Sequence, residues 1–273
     1  MPALTPQSAL TTWQFAPTVS ALLGVLAAAY LWGAVAVRRR HPARPWPGAR
    51  TAAFLLGLVT IAVATQSSIG AYDDVLFSMH MVQHLLLIMV APPLLVYGRP
   101  VTLALHATRN PAHTWIKRAV RSRLATALTW PPFTVALYAA VVAATHLTPL
   151  RELVLENQVL HDAEHALYLA TGYLFFAPVV GDEPLRWRPS LLGRYFLLLL
   201  AMAPDTAVGV VLMYIPPHGL HDGGLIMLAG SDLIMTALAV VLAAGLVRAR
   251  PRTAEPVALE EYNAYLAALD QPR

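Results

Sequence analysis

Cysteine is absent from this chain of 273 residues. That excludes disulfides, thiolate metal sites and catalytic thiols, and leaves any soft-metal chemistry to methionine and histidine. Charge is scarce as well. Asp, Glu, Lys and Arg make up 12% of the residues, against 57% that are hydrophobic. With a mean hydropathy of +0.56, the balance excludes a soluble domain and defines an integral membrane protein. Residues 1–16 contain no Lys or Arg, so no positively charged leader region precedes the first apolar run, which reads as a retained helix.

Long apolar runs are what the chain has in plenty. A bilayer crossing takes about 20 such residues, and candidate segments lie near 17–37, 51–70, 79–97, 124–146, 159–180, 191–214 and 226–247. The expected fold is therefore all-α, a polytopic membrane protein of seven transmembrane helices. Basic residues gather in alternate connections: Arg38 to Arg50, Arg99 to Arg123, Arg186 to Arg194, and Arg248 onward. Only Arg151 falls on the other face, which predicts an extracytoplasmic N-terminus and a cytoplasmic C-terminus. The same alternation accounts for the pI near 9.6 through attraction to anionic lipid, without nucleic acid. Residues 1–250 form the expected membrane domain and 251–273 a cytoplasmic tail. Leu259, Tyr262, Leu266 and Leu269 in that tail are spaced as a short amphipathic helix, and the stretch 109–123 is spaced to lie along the cytoplasmic interface.

The polar groups are unevenly placed. His80, His84, His146, His161, His165, His218 and His221 map to the extracytoplasmic half, and only His41, His106 and His113 to the basic loops. Two segments begin with a His-x-x-x-His step, "HMVQH" at 80–84 and "HDAEH" at 161–165. Residues four apart share a helix face and stand ~6 Å apart, so each pair can address one centre. At 1.5 Å of rise per residue, His84 and His165 lie roughly 8–10 Å below the outer boundary, with Asp232 at similar depth and Asp205 deeper. Ionisable groups at such depth normally face a bundle interior and a partner. The expected site is an outward-open funnel whose metal-ligating candidates are His80, His84, His161, His165, Met79, Met81, Asp205, Asp232, His218 and His221. His146, alone at a helix end, reads as an interfacial group. Imidazole with thioether favours copper, and zinc is the alternative.

At these residues the sequence resembles a known family. "FSMHMVQHLLLIMVAPPLLVYGRP" at 77–100 and "HDAEHALYLATGYLFFAPVVG" at 161–181 resemble the polytopic CtaG-type cytochrome c oxidase assembly factors. The resemblance covers about residues 15–250. It implies seven helices, a bacterial plasma-membrane location and a non-enzymatic part in maturing a haem–copper oxidase at its copper centres. It marks Met79, His80, His84, His161 and His165. The implied partners are an oxidase subunit and lipid, with self-association left open. Two other functions fit the residues: a seven-helix intramembrane zinc hydrolase with a metal-activated water, and a haem-binding membrane electron carrier.

Overall fold

The computed structural model describes residues 11–181, 183–214 and 219–249. Among them there is no strand, as expected for an all-α chain. Helix α1 (Pro17–Arg40) and α2 (Gly48–Gln66) are followed by the short α3 (Ser68–Tyr72), where the Ser67 side chain caps the restart by accepting from the Ile69 amide. Next come α4 (Phe77–Leu85), a π-helical turn (Leu86–Val90) and α5 (Ala91–Tyr97). The π turn has a local cause: Pro92 and Pro93 lack amide hydrogens and their rings crowd the carbonyls one turn back, so the ladder widens there.

Three short helices follow, α6 (Pro100–Ala107), α7 (Ala112–Val120) and α8 (Arg123–Leu128). Helix α7 buries none of its residues and leaves Trp115 exposed. The remaining helices are α9 (Pro131–Leu147), α10 (Leu150–Glu156), α11 (Gln158–Val179), α12 (Leu191–Tyr214) and α13 (Gly219–Ala249). The described residues up to Met235 form one compact unit and those from Thr236 onward a second. The tail at 251–273 and His218 lie outside the described residues.

Five helices among the described residues are long and apolar enough to cross a membrane: Pro17–Arg40, Gly48–Tyr72, Phe77–Ala107, Leu191–Tyr214 and Leu220–Gly245. The two other expected spans differ for identifiable reasons. The segment at 124–146 is interrupted before Pro131-Pro132, which leaves Pro131–Leu147 as an apolar helix of 17 residues. The segment at 159–180 forms a 22-residue helix, but its first turns carry His161, Asp162, Glu164 and His165, and those polar groups lower its apolar character.

The polar helix α11 is packed against α9 on one side and against the π turn and α5 on the other. Its approach to the π turn depends on Gly172. A β-carbon there would collide with the Ile88 carbonyl oxygen and come within 2.7 Å of Pro92 Cγ, so only glycine admits this contact. Farther along, α6 is preceded by Arg99, whose φ of 52° is left-handed. Its first amides are met by Glu183, which accepts from Val101 N at 3.0 Å and Thr102 N at 2.9 Å.

Candidate functional site

Three helices and one loop position the polar groups. On α4 the buried face carries His80, Gln83 and His84; on α11 it carries His161, Glu164 and Tyr168, with His165 half-buried. These are three- and four-residue steps, so each set projects from one face. Helix α11 starts where Asn157 caps it, accepting from Val159 N at 2.9 Å, and its first full turn delivers His161. Asp73 and Asp74 come from the turn that ends α3, and His146 from the last turn of α9.

Together they form a row of five imidazoles, His165, His161, His80, His84 and His146. Successive ring centroids are 4.4, 5.6, 4.0 and 5.4 Å apart. Carboxylates flank the row. Asp73 Oδ2 lies 3.1 Å from His161 Nε2, Asp74 Oδ1 lies 3.6 Å from His161 Nδ1, and Glu164 Oε2 lies 3.3 Å from His84 Nε2 and 3.9 Å from His80 Nε2. Two triads result, each able to bring one donor atom per residue to within 4.8 Å of the others: Asp73, His161 and His165, and His80, His84 and Glu164.

Hydrogen bonding assigns the tautomers. The Val142 carbonyl can only accept, so His146 Nδ1 at 2.8 Å carries a hydrogen and its Nε2 holds a lone pair. That lone pair faces His84 Nδ1 at 3.4 Å, which therefore donates and leaves His84 Nε2 bare toward Glu164. At the other end the Gln83 amide donates to the Ala64 carbonyl at 3.0 Å, so its oxygen accepts from His165 Nε2 at 2.8 Å. Gln83 thereby locks the His165 ring to α2. Below His84, Tyr168 stacks on the ring at 4.1 Å and its hydroxyl meets Thr145.

Four atoms of this cluster are buried without a hydrogen bond: His80 Nδ1, His84 Nε2, His161 Nδ1 and Glu164 Oε2. An unpartnered buried polar group costs ~1–3 kcal/mol. If these histidines served only to join helices, their atoms would be satisfied by one another. Two of the bare nitrogens, His84 Nε2 and His161 Nδ1, face the carboxylates of Glu164 and Asp74, which suits a cation shared between them.

The structure thus brings His80, His84, His161 and His165 together, and adds groups that the histidine spacing does not mark. Glu164 lies three residues after His161, and so on its face; this was the available signal. Asp73, Asp74 and Gln83 carried none, because they join the cluster through tertiary packing. His146 is a correction: it is buried at the inner end of the row, where its ring meets those of His84 and Tyr168.

Other candidates sit apart. Met79 and Met81 are each one residue, or about 100° of helix rotation, from the His80/His84 face. Met81 and Asp205 do line a cavity of about 10 Å³ beneath His84 and His146. There Asp205 accepts from the Tyr138 hydroxyl at 2.8 Å. Asp232 keeps a buried, unbonded Oδ1 outside both triads. His221 is exposed, its Nδ1 3.3 Å from the Met213 carbonyl.

With no strand among the described residues, several apolar helices of spanning length and a buried histidine–carboxylate cluster, this is a multi-pass membrane protein. It belongs to the cytochrome c oxidase caa3 assembly factor family (Caa3_CtaG), whose family model matches residues 28–249. The chain is 34% identical over 211 residues to the uncharacterized proteins Mb0105 of Mycobacterium bovis and MT0111 of Mycobacterium tuberculosis. It is 31% identical over 210 residues to ML1998 of Mycobacterium leprae. The matches take in 75% or 74% of this chain but 32% of each relative, so it spans about a third of their length. No solved structure matches the chain.

Proposed function

We propose that the protein receives copper at the histidine row on the extracytoplasmic side of a bacterial plasma membrane and passes it to a subunit of a haem–copper cytochrome c oxidase. Copper is here the cargo, and the protein itself is not an enzyme. The observation that carries the reading is the facing of His84 Nε2 and Glu164 Oε2 at 3.3 Å, both buried and unbonded. Membership of an oxidase assembly family supports the role, and the mycobacterial relatives support the location. Imidazole and carboxylate donors bind Cu(II) more tightly than other divalent first-row ions, and zinc is the second choice.

The reading includes seven crossings, with Pro131–Leu147 and Gln158–Val179 as the fourth and fifth. The uneven distribution of Arg and Lys supports an N-terminus outside and a C-terminus inside. In that orientation Asp73, Asp74 and the open end of the histidine row face out.

The haem alternative does not fit the site, and the zinc alternative fits only its outer part. A haem needs a macrocycle between its axial ligands, whereas His80 and His84 stand 4.0 Å apart and the adjoining cavity holds about 10 Å³. A zinc hydrolase needs room for substrate beside its metal-bound water; the inner triad offers none, and only the outer triad borders such a cavity. Metal analysis of the detergent-purified protein tests the reading. Copper is expected; zinc alone, or a haem absorbance band, would overturn it.

A further inference from the structure

The two triads differ in one respect that bears on how they would be used. Asp73, His161 and His165 border a polar cavity of about 330 Å³, which Asp74, Gln83 and Asp162 also line. His80, His84 and Glu164 border no such space: they are 2%, 3% and 5% exposed. The sets adjoin at the His161 and His80 rings, whose centroids are 5.6 Å apart. We propose that the protein holds two metal ions in series, an outer one on Asp73, His161 and His165 and an inner one on His80, His84 and Glu164, the outer serving as the loading position for the inner. This rests on the copper-handling reading above.

Each triad is complete in itself, with two imidazoles and a carboxylate, and neither borrows a donor from the other. Both contain buried atoms with no hydrogen bond: in the outer set His161 Nδ1, which faces Asp74 at 3.6 Å while Asp73 holds Nε2, and in the inner set His80 Nδ1, His84 Nε2 and Glu164 Oε2. A single ion would use one triad and leave the other's bare atoms uncompensated. Two ions would satisfy both, and they would repel, because they share so short a span of low-dielectric interior. Binding is therefore stepwise. The inner ion, with three almost wholly buried ligands, is held tightly, and the outer ion, open to water and opposed by its neighbour, is held weakly. The row from His165 to His84 lets an ion move inward by exchanging one imidazole at a time. His146 ends the row, since its Nδ1 hydrogen is held by the Val142 carbonyl and its Nε2 receives the His84 hydrogen.

The test is titration of the full-length protein in detergent with Cu(II), with bound metal counted after dialysis and the two-copper form examined by electron paramagnetic resonance. Wild type is expected to take two equivalents in two resolved steps, with dipolar coupling between the ions. Asp73→Asn is expected to lose the weak step and keep the tight one; Glu164→Gln is expected to lose or weaken the tight step at least tenfold and keep the outer ion. Size-exclusion profiles check that both variants are folded, and His161→Ala replaces Asp73→Asn if that variant aggregates. One equivalent in wild type, or both steps abolished together by either substitution alone, overturns the proposal. Two steps assigned as above, combined with normal oxidase in cells carrying Glu164→Gln, would keep the paired sites and sink the assembly role.

Discussion

His84 Nε2 and Glu164 Oε2 face each other across 3.3 Å, and both are acceptors. The bareness of the nitrogen follows from a chain of bonds that begins at the Val142 carbonyl and runs through His146. Breaking that chain frees the His84 tautomer. His146→Phe is therefore expected to weaken copper binding at His84 about 10- to 100-fold, as loss of an orienting partner typically does, while the protein still folds. Copper affinity by competition with a chelator measures it, and unchanged affinity would count against the tautomer assignment.

Gln83 plays the corresponding part at the other end, fixing His165 through one amide that also binds the Ala64 carbonyl. Gln83→Leu leaves His165 Nε2 and the Ala64 carbonyl without these partners, at ~1–3 kcal/mol of stability. Metal binding at the outer triad is expected to fall while the inner triad is spared. Gln83→Glu keeps an acceptor for His165 and is expected to recover part of the loss in a metal titration.

Gly172 tests the packing that aligns the two histidine pairs. It lies seven residues beyond His165, about 10 Å along the helix axis, and touches no imidazole. Gly172→Val forces α11 from the Ile88 carbonyl and Pro92, at a cost of roughly 1–3 kcal/mol or more for overpacking. Copper binding is expected to drop with it, although every ligand remains. Thermal unfolding in detergent and a copper titration read the two effects.

Much of this arrangement was legible in the chain. Two His-x-x-x-His steps on apolar segments fix facing and depth by helix geometry alone, and burial then forces the faces together. Glu164 was legible in principle, since it shares the His161 face. Asp73, Gln83 and the burial of His146 were not, because each depends on which helices pack side by side. The fourth expected span came out short because Pro131-Pro132 starts a helix rather than continuing one.

Glu183 links stability to pH. Burial raises its pKa above the usual glutamate range, and its bonds to Val101 and Thr102 oppose this only in part. The folded state then holds the proton more tightly than the unfolded chain, so stability declines as pH rises from the ordinary glutamate range through the raised folded value. Glu183→Gln is expected to flatten that decline; Glu183→Ala removes the cap and costs about 1–3 kcal/mol. Melting temperatures across pH measure both.

Topology can be read by labelling, helped by the lack of native cysteine. Val75 and Trp115 are both exposed. Val75→Cys is expected to react with an impermeant maleimide added outside intact cells, and Trp115→Cys only after the membrane is opened. Labelling of both from outside would refute seven crossings with the N-terminus out.

The most direct measurement is the copper content and activity of cytochrome c oxidase in cells whose only copy of this protein carries His84→Ala and His165→Ala. Insertion should survive, because alanine is cheaper in lipid than histidine. With one imidazole gone from each triad, oxidase is expected to assemble with little copper and little activity. Oxidase of normal copper content and activity, with the double variant present in the membrane at wild-type level, would contradict the account.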